Sequence, residues 1–205
     1  MSEDAQPTSG LIGPNAVLQL LPVLDRLGGP DWRTQILAKA GIVEVPDGTC
    51  MIPETVAARL HHQVRLEEPE MAPRLVSLAG FETANYILKQ RIPSRAQKLL
   101  KALPSWAAAR LLSRAIAQHA WTFVGSGTLH VIDPWTFEIE DNPLIKGEAS
   151  DTCLCDWHVG VFARLYQSLV AQDSICSETR CGAQQPGYRC RFELHIGGSL
   201  SGHSP

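Results

Sequence analysis

Apolar residues recur at helical spacing through most of the first 120 positions. Residues 15–27 carry apolar side chains three and four positions apart and end at Gly28-Gly29-Pro30, which predicts a helix with a strong stop signal. A second helix is predicted over 31–40. A third is predicted to open at Pro53, because a proline at the first helical position has no N–H to leave unpaired. Four prolines divide the largely helical text that follows, up to residue 120: Pro69, Pro73, Pro93 and Pro104.

The pattern changes at residue 121. Residues 121–132 and 135–140 are rich in aromatic and β-branched side chains and predict two adjacent strands. Residues 155–170 return to helical spacing, and 174–178 and 189–196 predict two further strands. Helices followed by a ββαββ unit are typical of an α+β protein with a mainly antiparallel sheet.

The chain length of 205 residues suits one domain. We expect a flexible lead-in over 1–13 and a flexible tail over 197–205, where polar residues, glycine and proline are frequent. The domain between them, 14–196, is expected to consist of a helical part, 14–120, and the ββαββ part, 121–196.

Composition changes this picture little. The chain is 44% hydrophobic and 19% charged, with a formal net charge of −3, which gives no global reason to expect nucleic acid. The acidic start is unlike a secretory signal, and no apolar run is long enough to cross a bilayer. We therefore expect a cytoplasmic protein with reduced cysteines.

Charge is nevertheless uneven along the chain. No acidic residue lies between Glu82 and Asp133, whereas seven basic residues fall there: Lys89, Arg91, Arg95, Lys98, Lys101, Arg110 and Arg114. Two interpretations remain open. The run is either a solvated face of one or two helices, or a surface for anions such as ligand carboxylates, an acidic partner or a membrane.

Five of the six cysteines lie in the last 53 residues. Cys153 and Cys155 stand at the head of a predicted helix, and Glu178, Cys181 and Cys190 lie on the paired strands and their turn. Such an arrangement could bring four ligands to one zinc ion. An iron–sulfur cluster and unmetallated buried thiols are the alternatives, because the spacing contains no Cys-x-x-Cys pair and no ferredoxin pattern.

The cysteine-rich segment resembles the vinyl-4-reductase domain family. That family has a Cys followed five residues later by Gly, then Glu-x-x-Cys, a turn with glycine, and Cys-x-Phe. The matching positions are Cys155, Gly160, Glu178, Cys181, Cys190 and Phe192. The resemblance implies that Cys155, Glu178, Cys181 and Cys190 bind a structural zinc. The turn before Cys190 is one residue longer than the family pattern, and Cys153 and Cys176 offer competing thiols.

Four further segments resemble the branch of this family that serves bacteriochlorophyll biosynthesis: YILKQRIPSRAQKLL, HAWTFVGSG, NPL at 142–144, and CDWHVGVFARLYQSLV. With them the resemblance covers residues 75–196. It implies a role in that pathway, association at the periphery of the photosynthetic membrane, a homodimer, and two partner proteins. These are the large subunit of magnesium chelatase and the magnesium-protoporphyrin methyltransferase.

A ligand pocket is predicted from aromatic and histidine residues near the junction of the two parts. If side chains 121 and 123 alternate on a strand with period two, rings and imidazoles can wall one cavity for a flat Mg-porphyrin. A histidine could ligate the magnesium, and the acid-free stretch could bind the propionates. The candidate residues are His119, Trp121, Phe123, Trp135, His158 and Tyr86. The alternative is that these rings are ordinary core residues.

Three functions follow from these predictions. The first is a carrier or chaperone of tetrapyrrole intermediates. The second is an 8-vinyl (4-vinyl) reductase of chlorophyll precursors, for which the sequence shows no G-x-G-x-x-G turn between a strand and a helix and no phosphate-binding loop. The third is a ligand-sensing regulatory domain. The sequence favours the carrier over an enzyme.

Overall fold

A computed structural model describes residues 10–185 and 187–197. Residues 1–9 and 198–205, which hold most of the expected lead-in and tail, lie outside the described residues. The helices of the first part are α1 (Asn15–Leu18), α2 (Leu21–Lys39), α3 (Glu54–Glu67), α4 (Ala72–Gln90), α5 (Ser94–Ala102) and α6 (Ser105–Gln118). Two short strands, β1 (Leu11–Ile12) and β2 (Ile52–Pro53), pair antiparallel and were not predicted.

The second part is a four-stranded sheet crossed by one helix, α7 (Asp156–Leu169). Its strands are β3 (Thr128–Asp133), β4 (Thr136–Glu140), β5 (Ser174–Arg180) and β6 (Cys190–Ile196). They lie in the order β3-β4-β6-β5, and every neighbouring pair is antiparallel. The predicted combination of helices and an antiparallel sheet is confirmed.

Helices α4 and α7 pack with their backbones almost in contact. A Cβ built on Gly160 of α7 would lie 2.1 Å from the Ser77 carbonyl oxygen, and one on Gly80 of α4 would lie 2.1 Å from that of Trp157. Both distances are far below van der Waals contact, so neither position accepts a side chain without moving a helix. Gly160, which the family pattern marks, is therefore required by packing.

The predicted helical break at Gly28-Gly29-Pro30 is present as a kink within α2. Gly29 has a φ of +78°, a conformation that favours glycine, and Pro30 follows it. Hydrophobic residues on both sides of the kink, among them Leu24 and Ile36, are buried in the core.

The strand predicted from residue 121 is wrong over its first seven positions. Ala120–Thr122 forms a single 3-10 turn, Gly125 has a φ of +57°, and β3 begins only at Thr128. The buried carboxylate of Glu54 accepts hydrogen bonds from the Ser126 backbone N–H at 2.6 Å and from the Ser126 hydroxyl at 2.7 Å. These bonds hold residues 125–127 as a turn against α3.

Candidate metal centre and ligand cleft

Three elements meet where α7 begins. Cys155 is the N-cap residue of α7, Glu178 lies on β5, and Cys190 opens β6. Cys181 follows the end of β5 directly. The four side chains therefore reach the same point from three backbone segments that are distant in sequence: the start of α7, the end of β5 and the start of β6.

The four candidate ligand atoms of Cys155, Glu178, Cys181 and Cys190 all lie within 4.8 Å of one another. The Cys155 sulfur is 3.9 Å from that of Cys181 and 3.2 Å from that of Cys190. Sulfurs about 3.8 Å apart are expected for a tetrahedral ion with bonds of about 2.3 Å. The three cysteines are buried. The group thus has the donors and nearly the spacing of a closed four-ligand site.

Glu178 gives an independent indication of a cation. One carboxylate oxygen accepts a hydrogen bond from the Cys155 backbone N–H at 2.8 Å. The other, Oε1, is buried and has no partner among the described residues. A buried carboxylate oxygen without a partner is costly, and a metal ion at this point would satisfy it.

The electrostatics of the group also favour a positive ion. Burial, and then the nearby Cys181, raise the pKa of the Glu178 carboxyl to about 8. Burial raises the pKa of the Cys155 thiol well above its usual range. Hydrogen bonds from Cys155 and Cys190 lower the pKa of Cys181, so one thiolate is held by its two neighbours. A bound divalent cation reverses these preferences, because it stabilises every deprotonated ligand at once.

The two competing thiols lie outside this group. The Cys153 sulfur is directed to the backbone oxygen of Glu178 at 3.5 Å and is partly buried. Cys176 is buried on β5, but its sulfur is not among the atoms that converge. Burial is the main cause that raises the pKa of each of these thiols to about 12.

Asn142 is a residue of this site that sequence reasoning did not single out. Its side-chain N–H donates to the Cys155 sulfur at 3.2 Å and to the Cys190 sulfur at 3.9 Å. Its side-chain oxygen accepts from the Leu144 backbone N–H and caps the 3-10 turn Pro143–Ile145. In the sequence, the Asn-Pro-Leu motif at 142–144 contributes only to the family resemblance. An asparagine directly before a proline is a typical cap of a short helical turn, so the motif indicates that Asn142 is ordered. The motif does not indicate that Asn142 contacts the cysteine sulfurs.

The structure does not bring the six candidate ligand-pocket residues to one cavity. His119 and Trp121 are exposed after the end of α6, with Trp121 59% accessible. Phe123 and His158 lie in an aromatic layer between α7 and the sheet, and Trp135 contacts Tyr166 beside them. Tyr86 is partly buried on α4. A common cavity wall requires side chains 121 and 123 to alternate along a β-strand, and the 3-10 turn Ala120–Thr122 takes the place of that strand.

His158 is a core residue in this structure. Its Nε2 donates to the Phe123 carbonyl oxygen at 3.2 Å, and its ring contacts those of Phe162 and Phe192. Burial lowers the pKa of His158 to about 4, so the ring is neutral near pH 7. Its Nδ1 has no partner among the described residues, and neither has Nε1 of the adjacent Trp157.

An open cleft of about 370 Å³ lies where α4, α5 and α7 meet. Its lining combines three cations, Lys89, Lys101 and Arg164, with the apolar side chains of Leu88 and Ile92. Arg164 is fixed by a hydrogen bond to Asn85 at 2.7 Å and by its position 4.6 Å from the Phe81 ring. Lys89 and Lys101 belong to the acid-free stretch of the sequence, but no sequence pattern pairs them with Arg164.

The overall fold of the chain is similar to that of solved H-NOX proteins. The unliganded Fe(II) H-NOX protein from K. algicida covers 94% of this chain and is itself covered completely, with a TM-score of 0.57 at 7% identity. An H-NOX-family protein studied for heme distortion covers 95% of this chain, with a TM-score of 0.56 at 11% identity. The chain is therefore an α+β protein with an H-NOX-like fold.

Relatives at higher identity define the family. The model of the vinyl-4-reductase domain matches residues 135–196, the segment that contains all four candidate metal ligands. The bacteriochlorophyll synthase 23 kDa chain of Cereibacter sphaeroides is 48% identical over 89% of each chain. That of Rhodobacter capsulatus is 42% identical over 90% of this chain and 86% of its own. The chain belongs to this family of vinyl-4-reductase-domain proteins, which confirms the resemblance inferred from sequence.

Proposed function

We propose that this protein binds a tetrapyrrole intermediate of bacteriochlorophyll biosynthesis, as a carrier or chaperone. The cation-lined cleft between α4, α5 and α7 is the observation that supports it. Its mixture of basic and apolar side chains suits an amphipathic anion, which would place carboxylates near the cations and carbon atoms near Leu88 and Ile92.

The relatives support the pathway part of this proposal. Two proteins that share 48% and 42% of their residues with this chain are named as chains of bacteriochlorophyll synthase. The H-NOX proteins with the same fold include one studied for heme distortion, so the fold is compatible with a tetrapyrrole. Because the cleft is open and of modest volume, we expect it to hold the carboxylate-bearing edge of a macrocycle and leave the remainder accessible for transfer.

A binding experiment with paired lysine variants tests the cleft. Lys89→Gln/Lys101→Gln removes two exposed cations from the lining and should weaken binding of magnesium protoporphyrin by about tenfold or more. Lys146→Gln/Arg74→Gln removes two exposed cations elsewhere and should leave binding unchanged. Equal affinity of the first pair and the wild type would refute this location of the site.

We also propose that the four-residue group binds a structural zinc ion through Cys155, Glu178, Cys181 and Cys190. The unpartnered Glu178 oxygen and the spacing of the sulfurs support it. Zinc suits thiolate ligands with one carboxylate, and a site closed by four protein ligands has no position for a reacting molecule. Metal analysis of protein purified without added metal should find one zinc per chain. Iron with acid-labile sulfide would indicate a cluster instead.

Partner proteins follow from the carrier proposal. The relatives' name describes one chain of a synthase, so this chain is expected to assemble with other proteins of the pathway. We propose the large subunit of magnesium chelatase and the magnesium-protoporphyrin methyltransferase, together with a homodimer of this chain. Co-purification with each protein, with and without magnesium protoporphyrin, tests these pairs. If neither partner protein binds this chain in its tetrapyrrole-loaded state, the proposed transfer of the tetrapyrrole to these partners is contradicted.

A further inference from the structure

Helices α5 and α6 carry exposed basic and apolar side chains. None of the residues of α5 is buried, although the helix contacts α6 and α7. Its outward stripe consists of Arg95, Lys98 and Leu99, at positions three and four apart. The outward stripe of α6 consists of Trp106, Arg110 and Arg114, four residues apart. We call these six residues the α5–α6 outer face.

The cations of this face are free to meet a partner. Within the described residues, no ion pair involves any of the seven basic residues between Glu82 and Asp133. The segment holds seven of the 18 basic residues and none of the 21 acidic ones, in a chain whose net charge is −3. Positive charge is therefore concentrated in one segment of a mildly acidic chain, and these cations have no ion-pair partner among the described residues.

Large apolar side chains stand among these cations. Leu99 is 59% accessible and Trp106 is 69% accessible. Leu111 of α6 and Trp121 just beyond it are also exposed, so both exposed tryptophans of the described chain belong to this region. Leucine and tryptophan beside lysine and arginine on a short helix are typical of elements that lie in a membrane interface.

We propose that the α5–α6 outer face docks the protein on a membrane rich in anionic phospholipid. The cations lie at the level of the phosphate groups, while Leu99 and Trp106 enter the boundary between headgroups and acyl chains. The contact is peripheral and requires no spanning element; no helix among the described residues is long and apolar enough to cross a membrane. This docking is independent of the proposed ligand, because its residues do not line the cleft.

A nucleic acid would use the cations of this face but would leave Leu99 without a role. Readout of a phosphate backbone needs basic and polar groups, with rings placed to stack on unpaired bases. Leu99 offers no hydrogen bond and no ring. A fluid lipid interface accepts both leucine and tryptophan at any position along the face, so it accounts for the whole surface.

Vesicle sedimentation tests the proposal directly. The full chain should bind vesicles of phosphatidylcholine with phosphatidylglycerol, bind vesicles of phosphatidylcholine alone weakly, and be released by salt. The variant Arg95→Gln/Lys98→Gln/Arg110→Gln/Arg114→Gln should lose affinity by roughly 100-fold or more, since each cation near an anionic surface contributes about fivefold. Leu99→Ser/Trp106→Ser should also weaken binding, and it should reduce the blue shift of tryptophan fluorescence.

Matched variants control for charge and hydrophobicity. Arg26→Gln/Arg59→Gln/Arg74→Gln/Lys146→Gln removes four exposed cations outside the face and should bind as the wild type. Leu27→Ser/Val43→Ser removes two exposed apolar residues elsewhere and should do the same. If the two variants that each lack four cations lose vesicle affinity equally, the proposal is overturned. So would binding to polyglutamate or to DNA without binding to the anionic vesicles.

Discussion

Replacing Cys181 by serine is expected to remove the metal and with it a large part of the stability of the fold. Cys181 is completely inaccessible to solvent and lies between the end of β5 and the start of β6. A serine hydroxyl does not ionise near neutral pH and is a poor zinc ligand. The variant therefore leaves two thiols and Glu178, whose oxygen already lacks a partner among the described residues.

The magnitude follows from linkage between binding and folding. Zinc present at about 1,000 times its dissociation constant stabilises the folded state by about 4 kcal/mol. A chain of this size changes its melting temperature by about 2–4 °C per kcal/mol, so losing the ion lowers Tm by about 8–16 °C. This shift concerns stability, and the ligand cleft between α4, α5 and α7 should bind as before where the variant is folded.

Calorimetry with and without a chelator separates metal loss from ordinary core damage. Wild-type Tm should fall when zinc is removed, whereas that of Cys181→Ser should be low already and unaffected. Cys176→Ser is the matched control, because Cys176 is buried on β5 but lies outside the group. It should cost about 1–3 kcal/mol for a buried hydroxyl and keep both zinc and chelator sensitivity. A Cys181→Ser protein with one zinc per chain and wild-type Tm would refute the reasoning.

Three further changes test other parts of the structure. Gly160→Ala should cost about 2–4 kcal/mol in urea unfolding, because its Cβ would lie 2.1 Å from the Ser77 carbonyl oxygen; a cost below about 1 kcal/mol would contradict the close crossing of α4 and α7. Burial lowers the pKa of the His61 imidazole to about 3, below its unfolded value of 6.5. The contribution of neutral His61 to the free energy of unfolding is therefore complete above pH 6.5. It falls on acidification, by about 2 kcal/mol at pH 5. His61→Gln should reduce this slope by nearly one proton between about pH 5 and 6, and an unchanged slope would exclude His61 as its source. His119→Ala should leave the absorbance of bound magnesium protoporphyrin unchanged, because the exposed His119 does not line the proposed cleft; a spectrum that differs from those of the wild type and of Gln118→Ala would place this imidazole at the magnesium.

The order of elements could be predicted from sequence because each rests on local signals. Helical spacing and proline positions mark α3, α5 and α6, and Gly29-Pro30 marks the kink in α2. The sequence pattern grouped Cys153, Cys155, Glu178, Cys181 and Cys190, and the family resemblance implied which four of them are the ligands: Cys155, Glu178, Cys181 and Cys190. Their convergence within 4.8 Å agrees with that expectation.

Features that depend on contacts between distant segments could not be predicted. The turn at 125–127 is fixed by Glu54, which lies 72 residues before Ser126, and local composition alone indicates a strand there. The ligand cleft joins Lys89 to Arg164, which no spacing rule connects. Asn142 contacts the sulfurs of Cys155 and Cys190, which follow it by 13 and 48 residues, so only the folded chain brings these groups together.

The measurement that tests the central claim most directly is a titration of the purified protein with magnesium protoporphyrin, followed by addition of NADPH. Absorbance and tryptophan quenching should show saturable binding of one tetrapyrrole per chain. The vinyl absorbance should stay unchanged after NADPH is added. Absence of saturable binding would contradict the carrier function. Loss of the vinyl signature with NADPH would show instead that the protein is a reductase.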